Sequence, residues 1–142
     1  MLKIELPNRP IPWKRAGHSH NFFYDTQHAV KLNIKSYIKQ NYKLPKELLS
    51  GAIRMTYLFE FKMPKSWSKK KKLASINQPH TIAPDTSNLI KFIEDTFSNF
   101  IFVDDKQIAS SKEDKIWSDK DQTTVIVEEL INCRYPCIKE NA

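Results

Sequence analysis

The most regular pattern in the chain runs through GAIRMTYLFEFK, residues 51–62. Ile53, Met55, Tyr57, Phe59 and Phe61 fall on one side of an extended chain. Arg54, Thr56, Glu60 and Lys62 fall on the other, with Leu58 as the exception. Period two means a strand with one buried face. Leu2, Ile4 and Leu6 alternate in the same way and predict a first strand, ended by Pro7, Pro10 and Pro12. QTTVIVEEL, residues 122–130, predicts the last strand. A stretch after Asp104-Asp105, through about Lys115, predicts another. Period 3.6 takes over in between. Ala29, Val30, Leu32, Ile34, Tyr37 and Ile38 predict a helix over 26–42, with Lys31, Lys35 and Lys39 in a row on another face. Leu89, Ile90, Ile93 and Phe97 predict a second over 86–99. SWSKKKKLASINQ suggests a short helix opening at Ser66 or Ser68. The segment PNRPIPWKRAGHSHNFFYD, residues 7–25, reads as a loop. The sum is a single compact α+β domain over 1–142, with a mixed or antiparallel sheet of four to five strands and two to three helices.

Composition narrows the chemistry. The chain has 142 residues, enough for one core and one domain. No apolar run reaches the roughly 18–20 residues of a membrane span, and Met1–Glu5 shows no secretory h-region, so a cytoplasmic location is expected. Gly17 and Gly51 are the only glycines, which excludes GxGxxG and Walker loops. Cys133 and Cys137 in CRYPC lack the four ligands of a structural zinc site and read as ordinary thiols, with a local or dimer-linking disulfide left open. His18-x-His20 reads as part of a basic loop, with a metal pair on a strand as the alternative.

Charge is divided along the chain. Residues 1–83 hold 16 Lys and Arg against 4 Asp and Glu, whereas residues 84–142 hold 7 against 12. A basic half beside an acidic one fits a polyanion partner next to a cation site, or simply a basic protein with an acidic tail. Lys14 and Arg15 follow Trp13 in the proline-stiffened loop, and with Phe22, Phe23 and Tyr24 they make a candidate phosphate-and-base surface; the aromatics read equally as core. Lys69, Lys70, Lys71 and Lys72 form a second basic element or a solvated face.

The acidic half holds the candidate cation ligands. Mg²⁺ prefers one or two carboxylates, waters and phosphate oxygens. Asp85 precedes the helix over 86–99, and Asp104 and Asp105 follow it. A helix of about 14 residues spans about 21 Å, and a chain returning along it would carry Asp105 back towards Asp85. Each carboxylate also has a structural reading. Asp85 suits a helix N-cap, Asp95 a pair with Lys91 on a wet helix face, and Asp104-Asp105 a surface turn.

The ordered set of motifs resembles the RusA family of Holliday junction resolvases, small Mg²⁺-dependent endonucleases of bacteria and their phages. The likeness covers most of the chain. It runs through Pro10-Ile11-Pro12-Trp13-Lys14-Arg15, through MPKSWSKKKK, and through Pro84-Asp85-Thr86-Ser87-Asn88-Leu89-Ile90-Lys91 with Asp95. It ends in Asp104-Asp105-Lys106-Gln107-Ile108 with Lys112 further on. The resemblance implies metal-binding Asp85 and Asp105, an accessory Asp104, Lys91 near the scissile phosphate, and support from Asn88 and Asp95. It implies DNA contacts by Lys14, Arg15, Lys69, Lys70, Lys71, Lys72 and Lys112. It further implies Mg²⁺ (or Mn²⁺) as cofactor, a four-way DNA junction as substrate, and a homodimer making two symmetric cuts. Apolar residues beyond one core, Phe22, Phe23 and Phe100–Phe102, are candidates for its interface. The family motif has a second aspartate two residues after the first, where this chain has Ser87. The missing charge leaves three readings open: a subfamily that keeps cleavage, a junction binder that cuts weakly, or a disabling substitution.

Overall fold

The computed structural model describes residues 1–19 and 22–131, apart from the Phe23 side chain. His20, Cys133 and Cys137 fall outside those residues, and with them the histidine-pair and cysteine expectations.

Four strands form one sheet: β1 (Leu2–Leu6), β4 (Ile53–Lys62), β5 (Ile108–Ser118) and β6 (Gln122–Glu129), in the order β1-β6-β4-β5. β6 runs antiparallel to both β1 and β4, while β4 and β5 are parallel. The sheet is therefore mixed, one of the two forms the patterning allows. A parallel pair needs a long crossover, and here residues 63–107 supply it. They contain α2 (Lys69–Ser75), α3 (Thr86–Phe97) and a 3-10 turn (Asp105–Gln107). The remaining helix, α1 (His28–Asn41), follows the N-terminal loop.

One face of the sheet holds the core. Ile4, Leu6, Ile53, Met55, Tyr57, Phe59, Phe61, Val125 and Val127 are buried there against Ile34 and Ile38 of α1 and Leu89, Phe92, Ile93 and Phe97 of α3. The alternation in β4 thus does what period two requires. Ile101 and Phe102 are also fully buried, which removes them from the expected dimer surface. Phe100 is half-buried beneath the ammonium groups of Lys35 and Lys39. Phe22 is well exposed.

The loop over 7–25 contains a small hairpin that alternation does not foresee, β2 (Gly17–Ser19) with β3 (Phe22–Tyr24). Strands of three residues are too short to show a period. Gly17 matters there, because the Tyr24 ring fills the space a Cβ would need.

Candidate active site

α3 begins at Asp85, whose backbone is extended (φ −69°, ψ 142°) and whose carbonyl accepts from the Asn88 and Leu89 amides. Asp85 holds the N-cap position, but its carboxylate makes no capping hydrogen bond. The capping reading needs that carboxylate to accept from a first-turn amide, and here it does not. The loop before it is fixed from β5. Lys115 Nζ donates to the Ile82 carbonyl at 2.6 Å and to the Pro84 carbonyl at 2.7 Å. Burial lowers the Lys115 pKa, and the nearby charge of Asp85 opposes that shift.

A cavity of about 550 Å³ opens at this end of α3, lined among others by His80, Asp85, Ser87, Glu113 and Lys115. His80 is buried and stacked between Phe61 (4.5 Å) and Trp117 (4.2 Å). Its Nδ1 has no hydrogen-bond partner, and burial lowers its pKa. The stack continues through Trp67, 4.8 Å from Trp117, to the Lys71 ammonium 4.2 Å above the Trp67 ring. An aromatic ladder thus ties the cavity wall to the lysine helix. That helix is α2, N-capped by the Ser68 hydroxyl, which accepts from the Lys71 amide. Lys69, Lys70 and Lys71 are exposed and Lys72 is half-buried.

The basic loop docks on α3. The Trp13 amide donates to the Asn88 carbonyl at 2.9 Å. Buried Gln27 then clamps the loop, donating to the Pro12 carbonyl and accepting from the Lys14 amide. Lys14 and Arg15 emerge exposed. Lys91 lies 3.6 Å above the Trp13 ring. Such contacts strengthen when the ammonium is partly desolvated. Lys91 is therefore not the partner of Asp95. Asp95 faces Lys31 at 3.9 Å, which also pairs with Asp25 at 2.9 Å.

The other expected carboxylates gather at the opposite end of α3. The Asp105 pKa is raised by its contact with Asp104, by burial, and by the charges of Asp104 and Asp95. The Glu94 pKa is raised by burial and by the charges of Asp105 and Asp95. Asp104 caps the 3-10 turn: its carboxylate accepts from the Lys106 amide, and Gln107 Oε1 accepts from the Asp104 amide at 2.7 Å. That amide bond lowers the Asp104 pKa. Glu94 and Asp95 lie about 14 Å along the helix axis from Asp85. Among the described residues, no three His, Cys, Asp or Glu side chains form a metal cage. Asp85 thus does not join Asp104 and Asp105 in one compact cluster.

Three residues of β5 at the cavity escaped the sequence reading: Glu113, Asp114 and Lys115. The register sets Lys112 opposite Thr56, on the sheet face away from the helices, and sets Glu113 and Lys115 opposite Tyr57 and Phe59, on the helix face. Lys115, not Lys112, is the lysine that reaches the Asp85 loop. The signal was present in SKEDKIW, where strand alternation pairs Glu113 with Lys115 and Trp117. Without a register, nothing said which face met the helix.

Residues 7–128 match the family described as Endodeoxyribonuclease RusA. The chain belongs to the RusA family. The match takes in everything from the proline loop to β6, and so both ends of α3 lie inside the RusA region. A relative from Bacillus subtilis (strain 168), the uncharacterized protein YqaN, is 31% identical over 91 residues. That alignment covers 61% of this chain and 63% of the relative, so the chain spans less than two thirds of that protein's length.

Proposed function

We propose that this RusA-family protein is a divalent-metal-dependent endonuclease that resolves four-way DNA junctions. The observation that carries this reading is the uncapped Asp85 carboxylate in an open polar cavity, beside Lys115 and within reach of three basic elements. Those elements are the loop with Lys14 and Arg15, the outward face of α3 with Lys91, and the lysine helix over 69–75. Basic side chains at a helix and a stiff loop suit a phosphate backbone.

The donor set fits Mg²⁺ or Mn²⁺ in its usual protein setting, with few carboxylates and the rest waters and phosphate oxygens. Asp85 would hold such an ion, and the Ser87 hydroxyl on the same cavity wall would orient a water. The ion supplies an acidified water and neutralises charge on the phosphate. Lys91, steadied by Trp13, offers a positive charge to a phosphate oxygen. Lys115 is a positioning residue: it holds the two carbonyls that set the Asp85 loop. Asp104 and Asp105, at the far end of α3, sit in a second acidic group that would join a site only if DNA or a second copy of the chain bridged the two ends. Two symmetric cuts call for a two-fold homodimer with one site per chain.

A second reading keeps binding and drops cleavage. It is favoured by the neutral Ser87 and by the lack of a three-carboxylate cage among the described residues. Cleavage of an end-labelled four-way junction in Mg²⁺ or Mn²⁺, with linear duplex as control, separates the two. Paired nicks at symmetric positions support the nuclease. Tight, junction-selective binding with no product supports the binder. Equal affinity for linear duplex and no product would sink both.

A further inference from the structure

We infer that the cleft between the proline loop, the start of α1 and the turn before Asp85 takes one unstacked nucleobase of the DNA strand that passes Asp85. The inference rests on the nucleic-acid part of the reading above and gives a use to a cleft that the metal chemistry leaves idle. Three observations carry it.

The first is place. The cleft has a volume of about 710 Å³, and Ala83 and Pro84 form one of its walls. Ala83 also lines the cavity that contains Asp85. The two hollows are therefore neighbours, divided by the residues just before α3. A strand with one phosphate at Asp85 carries its adjoining nucleotide past the mouth of the cleft.

The second is the lining. Pro10, Pro12, Val30, Phe61 and Pro84 make the cleft mostly apolar. Proline side chains lose almost no freedom when a ligand packs on them, so these walls bind at low entropic cost. A base suits such walls, because it buries its two flat faces and is read along its edge. Gln27 supplies a reader for that edge. It is only 5% exposed, yet it lines the cleft. Its carboxamide donates to the Pro12 carbonyl and accepts from the Lys14 amide. A carboxamide has two N–H groups and two lone pairs, so those contacts leave one donor and one acceptor for a base. Gln pairs with the edge of adenine in this two-sided way.

The third is charge at the rim. Arg9 and Lys14 border the cleft, and both are exposed. Arg9 is steadied there by the Phe61 ring, 5.1 Å from its guanidinium carbon, and by Asp121 at 3.7 Å. A base arrives between two phosphates. An apolar cleft with a cationic rim complements that combination of a flat apolar body and flanking negative charge.

The test is an abasic scan of a four-way junction, with the affinity of the full chain read by fluorescence anisotropy in Ca²⁺. Each nucleotide near the point of strand exchange loses its base in turn. In the parent, loss of one particular base should weaken binding about tenfold, within the range that stacking contributes per base. In Val30→Phe the added ring fills the cleft, and that abasic junction should bind as well as the intact one. Val30 is exposed on its helix, so Val30→Phe and the smaller Val30→Met should both keep the parent's thermal midpoint. Equal affinity for every abasic junction, or a penalty that survives in both Val30 variants, overturns the assignment. A surviving penalty together with a lower solution mass for Val30→Phe gives the cleft to a second copy of the chain instead. The two readings fail separately. A parent that shows the penalty, relieved by Val30→Phe, yet never cuts keeps the pocket and removes the nuclease. A parent that makes paired symmetric nicks without a base-specific penalty keeps the nuclease and removes the pocket. A parent with no affinity for the junction overturns both.

Discussion

The two ends of α3 carry the same kind of side chain put to different use. At the C-terminal end Glu94, Asp95, Asp104 and Asp105 crowd together, and two of them, Asp95 and Asp104, are committed. Asp104 closes a capping box with Gln107, whose amide also donates to the Leu49 and Gly51 carbonyls and so secures the entry to β4. Asp95 joins Lys31 and Asp25 in a bridge between helices. At the N-terminal end Asp85 caps nothing with its side chain, and Glu113 faces the cavity beside it. Counting carboxylates does not separate the two ends. What distinguishes the ends is which carboxylates the fold ties into caps and ion pairs.

The largest test of that contrast is Asp85→Asn. It should cut junction cleavage by at least about a hundredfold, beyond the loss typical of disturbed metal-site support. Junction affinity measured in Ca²⁺ should hold, since the basic elements stay in place. A loss of less than about threefold would move the chemistry away from this end of the helix.

Gln107→Ala probes the other end. It removes a cap partner and two side-chain donations to backbone carbonyls, and should lower unfolding free energy by about 1–2 kcal/mol in urea. Mn²⁺ affinity of the free protein should not change. A stable variant that loses Mn²⁺ would place the ion at the C-terminal end.

Tyr57→Phe sharpens the comparison with the opposite sign. Removing an orphaned buried hydroxyl should raise the stability of the chain by about 1 kcal/mol. A destabilised variant would mean the hydroxyl is satisfied in the free protein by a buried water.

The smallest effect concerns Lys31. The Asp25 pKa is lowered chiefly by its hydrogen bond to Lys31, then by the Gln27 amide. A carboxylate with a depressed folded pKa contributes stability that is present above its unfolded value of 3.8 and is lost as pH falls through the folded one. Lys31→Ala should therefore cost under about 1 kcal/mol at pH 7, since Asp25 is well exposed. It should also flatten the acid limb below pH 4. An unchanged acid limb would show that the Gln27 amide alone sets this pKa.

Sequence alone determined the elements that rest on long local periods. β1, β4, β6, α1 and α3 follow from alternation and helical spacing, and Asp85 at the start of α3 follows from where that spacing begins. Burial of one face is a property each segment writes into its own pattern. The chain also carried its family in the order of its motifs. Only the tertiary structure decided which carboxylates are committed, because a capping box or a bridge to Lys31 depends on neighbours distant in sequence. It alone decided that Lys115 and not Lys112 reaches the loop before Asp85, since a one-residue choice of register exchanges the two faces of β5. Glu113 meets Asp85 for the same reason. A parallel strand returned by a long crossover sets two residues side by side that share no local pattern.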